Sequence, residues 1–195
     1  MKRFIIGISG ASGSIYGIRL IEELIERDYK VYIVITEMGR LIIERELNIN
    51  LHTGIKDKKE IKKNLLKHLI GKTKIIERDL REKIEYLPID QMDSPISSGS
   101  FITEGMAVVP CSMSTLSGIA QARSTNLLER AADVTLKEGR PLLLTPREMP
   151  LNALHIENML KLKRMGVIIA PPMPAFYSNP QNISDLVNFV VGKIM

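Results

Sequence analysis

The stretch Ile5 to Ile25, IIGISGASGSIYGIRLIEELI, restricts the fold more than any other part of the chain. An apolar run of strand length gives way to glycines at 7, 10, 13 and 17, after which Ile18, Ile21, Leu24 and Ile25 recur at helical spacing. Apolar residues three and four apart form one face of a helix, whereas an unbroken apolar run suits a strand covered on both sides. A second such run, Val31 to Ile35, follows directly. Strand, helix, strand is the unit that joins two parallel strands, because a parallel pair needs a long crossover.

The alternation continues with strand-length runs at Met106 to Val109, Leu142 to Leu144 and Val167 to Ala170, separated by helical patterns such as Leu154, Met159, Leu160 and Leu162. The fold expected is α/β, a doubly wound, mostly parallel sheet in three Rossmann-like layers. At 195 residues the chain fills one sizeable core, so residues 1–195 are read as a single domain. Two pieces break the pattern. One is a charged, variable segment at about 51–86, read as an extra helix or insertion after Gly54. The other is the Ser-, Asp- and Gly-rich loop Ile89 to Phe101, long enough to suggest a function.

Net charge is +5, and its distribution says more than its size. Between Lys56 and Glu85 there are eleven Lys or Arg against six Asp or Glu, while the rest of the chain carries sixteen of each, so the whole excess lies in that segment. Its signs are mixed, and Ile61, Leu65, Leu66 and Leu69 fall at helical intervals. That pattern fits a solvated amphipathic helix, with a basic binding surface as the alternative; no nucleic-acid partner is expected. No apolar run approaches a membrane span, and the N-terminus is too short and interrupted for a secretory signal. The one cysteine, Cys111, has no partner within the chain, which fits a reducing cytoplasm.

In a doubly wound sheet, ligands lie beyond the carboxyl ends of the strands. Those ends read Ser9 to Ser14, Thr36-Glu37-Met38, Pro110 to Thr115, Thr145 to Glu148 and Pro171 to Tyr177. At the first and third, small hydroxyl residues lead into helices, whose free N–H groups and dipole favour an anion. The glycine spacing is neither that of a dinucleotide fold nor that of a triphosphate loop. A mononucleotide such as FMN suits it better, and simple helix capping by Ser12 and Ser112 is the competing reading. His52, His68 and His155 are scattered and no paired-cysteine motif exists, so no metal site is expected. Cys111 at a strand end is a reactive thiolate or, more commonly, a buried inert thiol. Arg130 and Lys137, seven apart, share a helix face, which reads either as an exposed helix with ordinary salt bridges or as two cations that face one cleft and suit a second phosphate.

GISGASGSIYGIRL, SSGSF, VVPCSMSTLSGIA, ERAADVTLKEGRPLLLTPREMP, HIENMLKL and PPMPAFYSNPQ, in this order, resemble the UbiX-type flavin prenyltransferases from about Lys2 to Met195. The resemblance implies a flavodoxin-like or Rossmann-like FMN-binding fold and a homo-oligomer, typically a dodecamer. It implies metal-independent transfer of a dimethylallyl group from dimethylallyl phosphate to N5 and C6 of reduced FMN. The product, prenylated FMN, serves a UbiD-type decarboxylase. By the same resemblance Gly10, Ala11 and Ser12, Thr36, then Ser112, Met113, Ser114 and Thr115, and Arg147 hold FMN. Tyr177 and Lys193 bind the prenyl phosphate, Arg130 and Lys137 line that phosphate site, Glu148 handles protons and Glu46 stands near the flavin. The chain contains no Trp, so an aromatic residue that many members carry in a C-terminal tail is absent or replaced. Two other readings are a non-catalytic FMN carrier or partner subunit, and an FMN-dependent cysteine decarboxylase of the same fold group.

Overall fold

A computed structural model describes residues 1–52 and 57–195. Six strands, β1 (Lys2–Ile8), β2 (Tyr29–Ile35), β3 (Ile84–Leu87), β4 (Met106–Cys111), β5 (Leu142–Pro146) and β6 (Ile168–Ile169), form one sheet in the order β3-β2-β1-β4-β5-β6. Every neighbouring pair is parallel, with Lys2 opposite Tyr29 and Ile5 opposite Met106. Eight helices accompany it among the described residues: α1 (Ser14–Glu26), α2 (Glu37–Leu47), α3 (Lys58–Leu69), α4 (Glu77–Lys83), α5 (Met113–Ala120), α6 (Leu127–Lys137), α7 (Ala153–Arg164) and α8 (Ile183–Ile194).

Strand periodicity explains the three layers. Along β1, β2 and β4, side chains point alternately to opposite faces. Ile6, Ile8, Ile33 and Val109 enter one core with α1, α3 and α8, while Ile5, Val34, Met106 and Val108 enter the other with α5, α6 and α7. A sheet apolar on both faces must be covered on both, as the sequence pattern required. The chain winds outward from β1 to β3, then returns to the other side of β1 for β4. The reversal leaves a crevice between the carboxyl ends of β1 and β4.

The segment at about 51–86 corrects the sequence reading. It is no interruption: α3 and α4 continue, after α2, the connection from β2, and β3 is the strand it leads to, although residues 53–56 lie outside those described. Helix α3 buries Ile61, Leu65, Leu66 and Leu69, the stripe seen in the sequence, and ion pairs from Lys58 and Lys62 to Glu85 fasten it to β3. The loop from Ile89 to Phe101 is also a connection between strands. It carries the chain from the end of β3 back to the start of β4, through a short 3-10 turn at Pro95–Ser97. Phe101 anchors its far end, edge-on to Tyr32 at 5.2 Å and beneath the Arg3 guanidinium at 4.6 Å.

Candidate functional site

The crevice is built first by hydroxyls. Ser9, wholly buried at the end of β1, donates to the Pro110 carbonyl at 3.1 Å and accepts from the Ser112 N–H at 2.7 Å. One side chain thus ties the first strand's end to the N-terminus of α5. The turn that follows needs two glycines for different reasons. Gly13 has φ +101°, a left-handed conformation that glycine adopts without Cβ strain. Gly10 passes so close to α2 that a Cβ would lie 2.6 Å from Met38 Cβ. The turn's small residues therefore serve packing between its own elements.

Three helices point their N-termini at this region. Thr36 caps α2, its hydroxyl oxygen accepting from the Gly39 N–H at 3.0 Å. Ser112 caps α5, accepting from the Thr115 N–H at 3.3 Å and donating to Thr115 Oγ1 at 3.1 Å. Ala11 and Met113 are buried, while Ser114 is exposed on the first turn of α5. Helix α1 differs, because no side chain of its own first turn caps it. The cap arrives from the last turn of α2. Glu46 accepts from the Gly13 N–H at 3.1 Å to each carboxylate oxygen, from the Ser14 N–H at 2.9 Å, and from the Ser14 hydroxyl at 2.5 Å. Burial on its own would raise the Glu46 pKa, but hydrogen bonds from Ser12, Ser14 and Gly13 outweigh it and hold the carboxyl below its ordinary range. This corrects the expectation that the N–H groups at α1 stand open to a phosphate: the protein's own carboxylate takes them.

Beside Glu46 opens a cleft of about 540 Å³, lined by Ser12, Gly13, Tyr16 and Arg147 and walled by apolar Ile15, Leu47, Pro172, Leu186 and Val187. Mostly apolar walls with a few polar groups are typical of small-ligand sites. Arg147 reaches it because its N–H bonds to the Cys111 carbonyl at 3.1 Å, extending the strand pairing past the end of β5. Glu148 follows on the surface, where its carboxylate accepts from the Met149 N–H at 3.1 Å. Tyr177 and Lys193 are gathered by one ring, that of Phe189 on α8. Tyr177 meets Phe189 edge-on at 5.7 Å, and the Lys193 ammonium lies 5.9 Å from the same ring's centroid. They stand by the helix that supplies Leu186 and Val187 to the cleft wall.

Arg130 and Lys137 are not brought into this cleft within one chain, contrary to the sequence expectation. Helix α6 runs back toward the start of β5, so its cations face the 97–101 turn and not the cleft. Arg130 donates to the Ser97 carbonyl at 3.2 Å and pairs with Asp133 at 3.1 Å, and Lys137 pairs with Glu138 at 2.5 Å. Cys111 is fully buried, and burial pushes its thiol far above the range in which a thiolate forms. Among the described residues, no three His, Cys, Asp or Glu side chains cluster as a metal requires, and no helix is long and apolar enough to cross a membrane.

A model of the flavoprotein family matches residues 1–195. A flavin prenyltransferase UbiX of Halalkalibacterium halodurans is 47% identical over 192 residues, covering 98% of this chain and 86% of its own. This chain belongs to the UbiX branch of the flavoproteins. Another UbiX, from Methanocaldococcus jannaschii, is 43% identical over 99% of this chain and 91% of its own. Among solved structures, a dodecameric FMN-dependent UbiX-like decarboxylase from Escherichia coli O157:H7 superposes with TM-score 0.78 at 39% identity, over 98% of this chain and 91% of that one. AnUbiX in complex with FMN and dimethylallyl pyrophosphate gives 0.79 at 33% identity, over 99% and 89%. The peptidyl-cysteine decarboxylase EpiD, at 20% identity and TM-score 0.55, shares the fold alone.

For this UbiX-type flavoprotein, sequence reasoning overlooked Ser9, Ser14 and Phe189. Ser9 and Ser14 sit inside the glycine turn already singled out, but their partners are 101 and 32 residues away, and no local pattern announces such distance. Phe189 lies in an apolar helix stripe and reads there as ordinary core.

Proposed function

We propose that the chain is a flavin prenyltransferase that moves a dimethylallyl group from dimethylallyl phosphate to reduced FMN, yielding prenylated FMN for a UbiD-type decarboxylase. The observation that carries this reading is the cleft beyond the ends of β1 and β5, where Arg147, Ser12 and Glu46 converge on apolar walls. Those residues fit the flavin: a largely apolar slot suits a planar ring, and the capped N-termini of α2 and α5 offer hydroxyls and N–H groups to a phosphate and polar ring edges. Thr36, Ser112, Ser114 and Thr115 would hold it, with Gly10, Ala11, Ser12 and Met113 shaping the floor and Arg147 at the rim. Bound in reduced form, FMN supplies the nucleophilic N5 and C6 between which the new ring closes.

The chain's part is electrostatic. Departure of an allylic phosphate builds negative charge on its oxygens, and fixed cations stabilise that charge where water is excluded. Arg147 and Lys193 provide cations and Tyr177 a hydroxyl donor. Their charge removes the need for a metal. Arg130 and Lys137 face away from their own chain's cleft, so they serve the site of a neighbouring copy in a homo-oligomer, taken to be a dodecamer. Glu148, exposed at the rim, takes up or returns the proton released at the flavin as the ring closes. The exposed apolar residues Ile156 and Leu160, four apart on α7, supply further surface for packing between copies. The assembly is placed in the cytoplasm.

The deciding experiment is anaerobic incubation of purified protein with reduced FMN and dimethylallyl phosphate, without metal and with the diphosphate in parallel, followed by mass analysis of the released flavin. A gain of one prenyl unit is expected with the monophosphate. Unchanged FMN with both donors, binding having been verified, overturns the reading. In Glu148→Gln, transfer falls while FMN stays bound; full activity would remove Glu148 from the mechanism.

A further inference from the structure

We infer that Ser14 is a positioning residue: its buried hydroxyl fixes the Glu46 carboxylate at the mouth of the flavin cleft. The inference deepens the proposed function and rests on it for its catalytic meaning. Its geometric basis is independent. Ser14 is wholly buried at the first position of α1, and its hydroxyl points to Glu46 Oε2 at 2.5 Å rather than back into its own helix.

Glu46 needs such an anchor. It lies in the last turn of α2, where the helix dipole disfavours a carboxylate, and it reaches across to the start of α1, where the dipole favours one. Two backbone N–H groups and the Ser12 hydroxyl hold it there whatever residue stands at 14. The Ser14 hydroxyl adds the one contact that depends on a side chain of α1 itself. A charge-assisted bond of this kind is directional and about twice as strong as a neutral one. Removing it leaves the helix capped but the carboxylate less fixed and easier to protonate. The charged groups around that carboxylate are Arg147 across the cleft and, along the groove it also borders between α1, α3 and α8, Arg19, Glu22, Glu26, His68, Lys72 and Lys74. Of these, burial moves Glu22 upward, and burial together with Lys72 moves His68 downward.

The test is a double-mutant cycle of Ser14→Ala with Glu46→Ala on flavin-free protein. Urea midpoints are followed from about pH 7 to about pH 3.5 at fixed protomer concentration, with His68→Gln as a control background. The folded pKa of Glu46 is depressed, so its contribution is fully present above the ordinary value of 4.5 and is lost as pH falls through the folded value. Ser14→Ala is therefore expected to lower the midpoint near pH 7, to do so less at the acid end, and to have no further effect once Glu46→Ala is present. An equal, pH-independent loss in both backgrounds overturns the inference, because it describes packing alone. In the prenyl-transfer assay, the acid limb of the rate profile moves to higher pH in Ser14→Ala, because the carboxylate loses a bond to its charged form; an unmoved limb also overturns it. A wild-type chain that makes no prenylated flavin counts against the proposed function, while the urea cycle still decides the Ser14–Glu46 coupling.

Discussion

Replacing Ser9 by alanine tests how the crevice is held together. The hydroxyl is wholly buried and makes two bonds, to the Pro110 carbonyl and from the Ser112 N–H. The two losses are not equal. The Pro110 carbonyl keeps the Ser9 N–H as a donor at 3.1 Å, so it stays satisfied. The Ser112 N–H loses its acceptor at the start of α5. A net hydrogen bond is worth about 1 kcal/mol, and a buried donor left without a partner costs about 1–3 kcal/mol, so the expected loss is about 2–4 kcal/mol. The change removes one oxygen atom, which leaves little cavity to add to this figure. Urea unfolding followed by far-UV circular dichroism, at fixed protomer concentration, measures it. With a slope of about 2 kcal/mol per molar, the midpoint falls by about 1–2 M. A loss below about 0.5 kcal/mol would refute the reasoning, since it would mean that the N–H finds another acceptor without strain.

Other consequences are as direct. Glu129 on α6 is buried and accepts from Arg123 at 2.9 Å and from the Thr125 hydroxyl at 2.7 Å. Burial raises its pKa, the bonds from Arg123 and Thr125 lower it further than burial raises it, and the net value lies below the ordinary 4.5. Its stabilisation is thus complete above that value and fades as pH falls; Glu129→Gln should lower stability by about 1–3 kcal/mol near neutrality and flatten the acid dependence, read by thermal melts across pH. Gly10→Ala must move Met38 of α2, costing about 1–3 kcal/mol and weakening FMN retention, measured by melting and by equilibrium dialysis. Arg147→Ala, at an exposed position, should leave the melting temperature almost unchanged while lowering FMN affinity by about tenfold or more in a fluorescence titration. Unaltered affinity would take Arg147 out of the site.

The sheet was legible where strands are central and the core covers both faces. Ile5 to Ile8 and Val31 to Ile35 are apolar without interruption because helices lie above and below them. Strand β3 escaped because it is short, lies at the sheet's edge and places Glu85 among its four residues, where the side chain pairs with Lys58 and Lys62. Its period is lost among the charges of the crossover helices. The cleft was legible as a set of strand ends, since a parallel sheet must expose them together. What occupies each helix N-terminus was not. Local sequence offers Ser12 as the cap of α1, and only the fold shows that Glu46 takes that place. The direction of α6 was equally hidden: residues seven apart share a face, but the spacing does not say whether that face turns to the cleft or to the 97–101 turn.

The placement of Arg130 and Lys137 away from the cleft that Arg147 lines carries a genetic consequence. If each catalytic cleft borrows these cations from a neighbour, an inactivating change at Arg130 and one at Arg147 damage the same kind of site through different chains. Two such inactive proteins, expressed together, would assemble some clefts that take Arg147 from one variant and Arg130 from the other and so carry neither lesion, and others that carry both. Activity would then return without any chain being repaired, and its level would report how the subunits are shared among sites.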